Sequence, residues 1–156
     1  MKARMALMVA ALWWGSLTAL GFVVVPMLFT HLGSPAAAGA MAAKLFTAQT
    51  WLSIICTMLL LMILNPNRAI AQVSTASVAI KLIVGGLLLT VLVEFGVSPR
   101  IVNARATGGD LRVWHGVGSA MYFCQWLCAG LTLWFLTARE AVAPVQHHAA
   151  PTAEFP

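Results

Sequence analysis

A chain of 156 residues that is 61% hydrophobic and only 8% charged, with mean hydropathy +0.91, lies far from soluble composition, in which about 25% of residues are charged. The length allows one compact helical domain and leaves little outside a membrane. The formal net charge of +5 comes from scattered basic residues; without an aromatic-interleaved basic patch it points to lipid head groups and excludes nucleic acid as a partner.

Four apolar stretches, at about residues 5–30, 45–64, 77–97 and 113–136, carry the fold. Each approaches or exceeds the ~20 residues a helix needs to cross a bilayer. The expected fold class is all-α: an integral membrane four-helix bundle, antiparallel and up-down, with a short interfacial helix before the fourth span.

The first stretch follows Lys2 and Arg4 and imitates a signal peptide. It is longer than the ~7–15 residues of a signal core, so it reads as a retained first helix. Ala11, Gly15 and Ala19 form a small-residue stripe that lets a neighbouring backbone approach closely. Trp13 and Trp14 suit tight packing or an interfacial position. Pro26 removes one helical hydrogen bond and predicts a kink before the helix stops at His31-Leu32-Gly33.

Ser34-Pro35 reads as a cap followed by proline at the first helical position. The Ala/Gly run at 36–43 then joins the second span without a breaker, which predicts a helix longer than its apolar core. Asn65-Pro66-Asn67 ends it, and a short polar loop containing Arg68 leads to the third span. Ser98-Pro99-Arg100 repeats the cap-then-proline signal and predicts a separate basic helix over 99–106 at the membrane surface. Gly108-Gly109 breaks it before the fourth helix. Residues 138–156, rich in Ala and Pro, read as a disordered tail in which His147-His148 lacks further ligands for a metal.

Short connections make the helices antiparallel neighbours and place both termini on one side. Lysine and arginine are nearly balanced between the two sides, with a slight excess that favours cytoplasmic termini in a bacterial inner membrane.

Inside hydrocarbon, polar side chains are costly, so they mark candidate sites. Glu94 is the most costly, about one turn from the end of the third span. Lys81 is thirteen residues away, roughly 20 Å along a helix, and snorkels to the other interface instead. Topology brings Glu94, His115 and His31 to one membrane depth, ringed by Arg100, Arg105 and Arg112. Such a cluster either ties helix ends together or forms a ligand, proton or metal site. On the fourth helix His115, Ser119, Tyr122 and Trp126 share one face, with Gln125 at its margin; Thr50, Ser53 and Thr57 form a matching arc on the second. These arcs point inward, for interhelical hydrogen bonding or for a transport path.

The cysteines, Cys56, Cys124 and Cys128, all lie within spans and read as packing residues with no disulfide framework. Cys124 and Cys128 face away from His115, which argues against a mixed metal site on that helix, and Met58 and Met62 read as packing or lipid-facing residues. No P-loop, GxGxxG, HExxH, CxxC or GxSxG motif is present. No acid–base pair names a reaction, so the residues point away from an enzyme.

Gly21-Phe22-Val23-Val24-Val25-Pro26-Met27-Leu28-Phe29, Ala38-Gly39 and Leu45-Phe46 resemble the opening of the domain-of-unknown-function 4149 family, which includes transmembrane protein 205-like proteins. Val97-Ser98-Pro99-Arg100 and Trp114-His115-Gly116-Val117-Gly118-Ser119 resemble its second half. The resemblance covers residues 8–136 and implies four membrane helices with no established activity. His115, Pro99 and Arg100 match its recurring polar pattern. That family is in turn distantly similar to haem-associated membrane proteins of the copper-resistance D and protoporphyrinogen oxidase J type.

Three functional readings follow. The leading one is a scaffold, regulator or subunit-like partner in the lipid bilayer, pairing with itself or with another membrane protein through the Ala11-Gly15-Ala19 stripe, with no cofactor. The second is a redox protein holding haem b between His31 and His115, with arginines near the propionates. The third is a carrier for a small solute or metal ion, built on Glu94 and the polar arcs of the second and fourth helices.

Overall fold

The computed structural model describes residues 1–64 and 75–142. Four helices in it are long and apolar enough to cross a membrane. The first, α1, spans Lys2–His31 and the second, α2, Pro35–Leu64. The third, α3, runs without a break through Thr75–Leu92, Val93–Val97 and Ser98–Thr107, and α4 covers Leu111–Val142. The chain is therefore an integral membrane four-helix bundle, with no strand among the described residues.

Local chemistry sets the turns. Ser34 Oγ accepts the Ala37 N–H at 3.1 Å, with Pro35 opening α2 behind it. Thus α2 takes in the Ala/Gly run and far exceeds its apolar core, as expected. Gly108 closes α3 in the left-handed region at φ 73°, a conformation that glycine adopts without a Cβ penalty. Asp110 Oδ1 then accepts the Val113 N–H at 3.2 Å and caps α4.

Both prolines inside the helices are accommodated in the same way. A π turn spans Leu20–Val24 and another Val93–Val97, each ending two residues before a proline. A proline ring clashes with the carbonyl four residues earlier, here that of Phe22 or Phe95. Each of these phenylalanines lies within a π turn, where the widened helix moves the carbonyl aside. The register shift is visible in the amide bonds Val25 N–H to Leu20 O and Ser98 N–H to Val93 O.

The second π turn corrects the reading of Ser98-Pro99. The basic segment is helical, but it continues α3 instead of starting afresh, and Ser98 makes no side-chain cap. Residues 138–142, expected in the tail, are helical instead, because α4 runs on to Val142, and the rest of that expected tail lies outside the described residues. The Asn65-Pro66-Asn67 stop, the Arg68 loop and His147-His148 lie outside the described residues.

The helices pack in a ring in which α1 touches α2 and α4, and α3 touches α2 and α4. The dry core lies in the half away from the His31 and Thr107 turns. It is built from Ala6, Ala10, Trp13 and Leu17 of α1, Cys56 and Leu60 of α2, Ala79 and Ile83 of α3, and Ala129 and Leu136 of α4. The α1 residues recur at a helical period, so one face carries the packing. Trp13 is fully buried, with its ring over Gly86 at 2.7 Å from where a Cβ would stand. Its Nε1 has no hydrogen-bond partner among the described residues.

Large apolar side chains such as Met8, Trp51, Met62, Leu88 and Trp134 point outward, as a lipid solvent requires. Met58 is exposed too, whereas Cys56 is buried. The stripe of Ala11, Gly15 and Ala19 faces outward, and nothing lies within 4 Å of Gly15 on its Cβ side. Packing inside the chain uses the opposite α1 surface.

Candidate functional site

Beyond the dry core, towards the His31 and Thr107 turns, the four helices part around a cavity of about 460 Å³. Every helix contributes to its wall. From α1 come Gly21, Phe22, Val25 and Phe29; from α2, Phe46, Thr47, Gln49 and Thr50; from α3, Glu94, Ile101 and Arg105; from α4, His115, Ser119, Tyr122, Gln125 and Trp126. The volume falls within the ~300–1,000 Å³ range of small-molecule sites, and an apolar wall with a few placed polar groups is their usual chemistry.

The π turns position this wall. Gly21 and Glu94 are each the second residue of one. A widened turn re-aims its side chains, and such turns recur at functional sites. Glu94 is half-buried and held from α2: Thr47 Oγ1 donates to Oε1 at 3.1 Å and Thr50 Oγ1 to Oε2 at 3.2 Å. The carboxylate is thus fixed across the gap between α2 and α3 and lines the cavity.

Below it, a buried polar network seals the cavity from the core. Gln49 Nε2 donates to Ser16 Oγ at 3.0 Å and to Ser53 Oγ at 3.3 Å. Gln125 Nε2 donates to the same Ser53 Oγ at 3.1 Å. The fully buried Ser53 hydroxyl ties α2 to α4, and Gln49 extends the network to α1. Tyr122 OH donates to the Leu17 carbonyl at 2.8 Å, and Trp126 Nε1 to Thr18 Oγ1 at 2.9 Å. Both aromatic residues therefore turn their polar ends to α1 and their rings to the cavity. The rings interlock: Phe46 with Tyr122 at 5.3 Å, Phe22 with Trp126 at 5.5 Å, and Phe123 with Trp126 at 5.6 Å between centroids.

The cations stand at the mouth. Arg105 lays its guanidinium over Gly39, where an added Cβ would meet Nη2 at 2.6 Å. Eight residues of α2 separate Gly39 from Thr47, roughly 12 Å of axial rise between the guanidinium and the carboxylate. His115 is exposed on the cavity rim, seven residues above Tyr122 on α4, roughly 10 Å.

The structure thus brings Glu94, His115, Tyr122 and Arg105 to one cavity. The inward arcs of α2 and α4 line it or lie directly beneath it, as their spacing implies. The other candidates are elsewhere. His31 does not line the cavity; it is exposed and holds its Nδ1 near the Met27 carbonyl at 3.0 Å and the Thr30 hydroxyl at 2.8 Å. Arg100 stacks over the Trp114 ring at 4.6 Å, and Arg112 is exposed on the first turn of α4. Among the described residues no three of His, Cys, Asp and Glu are grouped as metal ligands would be. Sequence reasoning missed Thr47 and Gln49. Thr47 lies three residues before Thr50, at the spacing that brings both hydroxyls to one carboxylate, and that signal was legible.

A family model described as domain of unknown function (DUF4149) matches residues 8–110, and the chain belongs to that family. No curated protein and no solved structure matches the chain.

Proposed function

We propose that this member of the DUF4149 family is a membrane-embedded binding protein for a small amphipathic molecule, with transport of that molecule as its cellular role. One observation carries the reading: the Glu94 carboxylate, fixed by Thr47 and Thr50, lines a cavity of about 460 Å³ between all four helices. An acidic group inside a span is expensive and marks a functional site by default. Here its cost is offset by only two neutral donors, which leaves acceptor capacity towards the cavity. The molecule lies with its apolar body against the aromatic wall and its polar end at Glu94.

The test is ligand binding to the detergent-purified protein, read by tryptophan fluorescence across a panel of neutral, cationic and anionic aromatic amphipaths. Ser119→Trp fills the cavity from its exposed rim without touching the core. Saturable binding of at least one probe, lost in Ser119→Trp, is expected. A panel that fails on the wild type, or binds both proteins equally, rejects the reading.

A second reading rests on the outward face of α1. Ala11, Gly15 and Ala19 lie open on the surface and are unused within the chain. This supports pairing with a second copy or with another membrane helix.

A further inference from the structure

We infer that the molecule this cavity selects is a lipophilic organic cation, its charge seated between the Glu94 carboxylate and the surrounding aromatic rings. The inference rests on the binding reading above and adds the ligand's charge. Most hydrogen-bond donors near the cavity floor are already engaged. Thr47 and Thr50 donate to Glu94, and Thr90 Oγ1 donates to the Gly86 carbonyl at 2.8 Å. Gln49 and Gln125 donate to serine hydroxyls, and Tyr122 and Trp126 donate to α1. The groups that dominate the wall facing a ligand are a carboxylate with spare lone pairs and the π faces of Phe22, Phe46, Phe123 and Trp126. All of these attract positive charge.

An anion at the floor would meet a carboxylate at short range in a low-dielectric wall, where like charges are costly. A neutral acceptor would find few donors there, the Ser98 and Ser119 hydroxyls and the second Gln125 N–H, none of them charged. The charged groups facing the cavity are Glu94 and Arg105, with His115 titratable on the rim. The Arg105 guanidinium lies over Gly39 at the exposed mouth, roughly 12 Å of axial rise from Thr47. Coulomb energy falls with distance, so it opposes a cation at the floor less than the adjacent carboxylate attracts it. Local charge and ring placement decide the class: a monocation with an apolar body, small enough for about 460 Å³.

The experiment uses a matched ion pair on the full chain in detergent. Binding of tetraphenylphosphonium, tetraphenylborate and neutral triphenylphosphine oxide is measured by equilibrium dialysis. Partitioning into micelles is removed by subtracting the signal of the Ser119→Trp protein. Tetraphenylphosphonium is expected to bind at least tenfold more tightly than either comparison probe. Glu94→Gln, checked for folding by gel filtration, is expected to erase that preference while keeping the weaker binding of the neutral probe. Specific binding of the three probes within threefold of one another, or tighter binding of tetraphenylborate, overturns the cation assignment and leaves the binding reading standing. Failure of all three to bind specifically overturns both. A preference for the cation that survives unchanged in Glu94→Gln overturns the role given to the carboxylate.

Discussion

Gly85 and Gly86 are adjacent in the middle of α3, and alanine at the two positions should have opposite effects. At Gly85 an added Cβ meets nothing within 4 Å. At Gly86 it would lie 2.7 Å from Trp13 Cη2, 2.8 Å from Cζ2 and 3.5 Å from the Cys128 Cβ. Either substitution gains the helix propensity of alanine over glycine, about 0.5–1 kcal/mol. The difference between the variants therefore isolates the cost of the clash. Trp13 is fully buried and bounded by the α1–α4 core, so its ring cannot swing away as an exposed chain end would. Overpacking of a filled core costs about 1–3 kcal/mol. Gly85→Ala should raise the thermal midpoint in detergent, whereas Gly86→Ala should fall below Gly85→Ala by that amount and lie at or below the wild type. The assay is unfolding of the two variants in the same detergent at the same protein concentration. A Gly86→Ala protein as stable as Gly85→Ala would refute the placement of Trp13 against α3.

Three further outcomes are expected. Ser53→Ala removes the hydroxyl shared by Gln49 and Gln125 and leaves their amide donors short of an acceptor; interhelical polar contacts in membranes average ~0.6 kcal/mol, up to ~1.7, so a lower thermal midpoint of that order should follow. Tyr122→Phe frees the Leu17 carbonyl just before the first π turn, and amide exchange over residues 20–25 should then speed up with little change in helix 3; unchanged exchange would show that the hydroxyl does not brace α1. Gly15→Ile places a branched side chain on the open α1 face. It should abolish cross-linked dimers in membranes while leaving monomer unfolding as it was; dimers of undiminished yield would dismiss that face as the contact.

Much of the architecture was legible because the physics that sets it is local. Uninterrupted apolar length gave the spans, and Ser34-Pro35 together with the breaker-free run after it gave the extended α2. The inward arcs on α2 and α4 followed from helical periodicity, and Glu94 from the cost of a carboxylate in lipid. The two π turns were not legible. Pro26 reads as a kink and Ser98-Pro99 as a fresh helix start, since local preference cannot register a neighbouring turn that widens to clear the proline ring. Equally hidden was the fate of the helix-end cations. Shared depth placed His31, Arg100 and Arg112 beside Glu94 and His115, yet depth says nothing of direction around a helix. His31 bonds within its own last turn and Arg100 stacks on Trp114, while Arg105 reaches the cavity by lying over Gly39. The exposed face taken by Ala11, Gly15 and Ala19 likewise depended on which side of α1 the core claimed.

Labelling with dicyclohexylcarbodiimide reports on the Glu94 carboxyl in its cavity. The chain has four carboxylate side chains, Glu94, Asp110, Glu140 and Glu154, and among the described residues Glu94 is the one that lines the cavity. This hydrophobic reagent, followed by peptide mass spectrometry, should modify Glu94 first, and tetraphenylphosphonium should slow that modification in proportion to its occupancy. Modification of Glu94 at the same rate with and without the cation would contradict the account, as would a Glu94 that stays unmodified while Asp110 reacts.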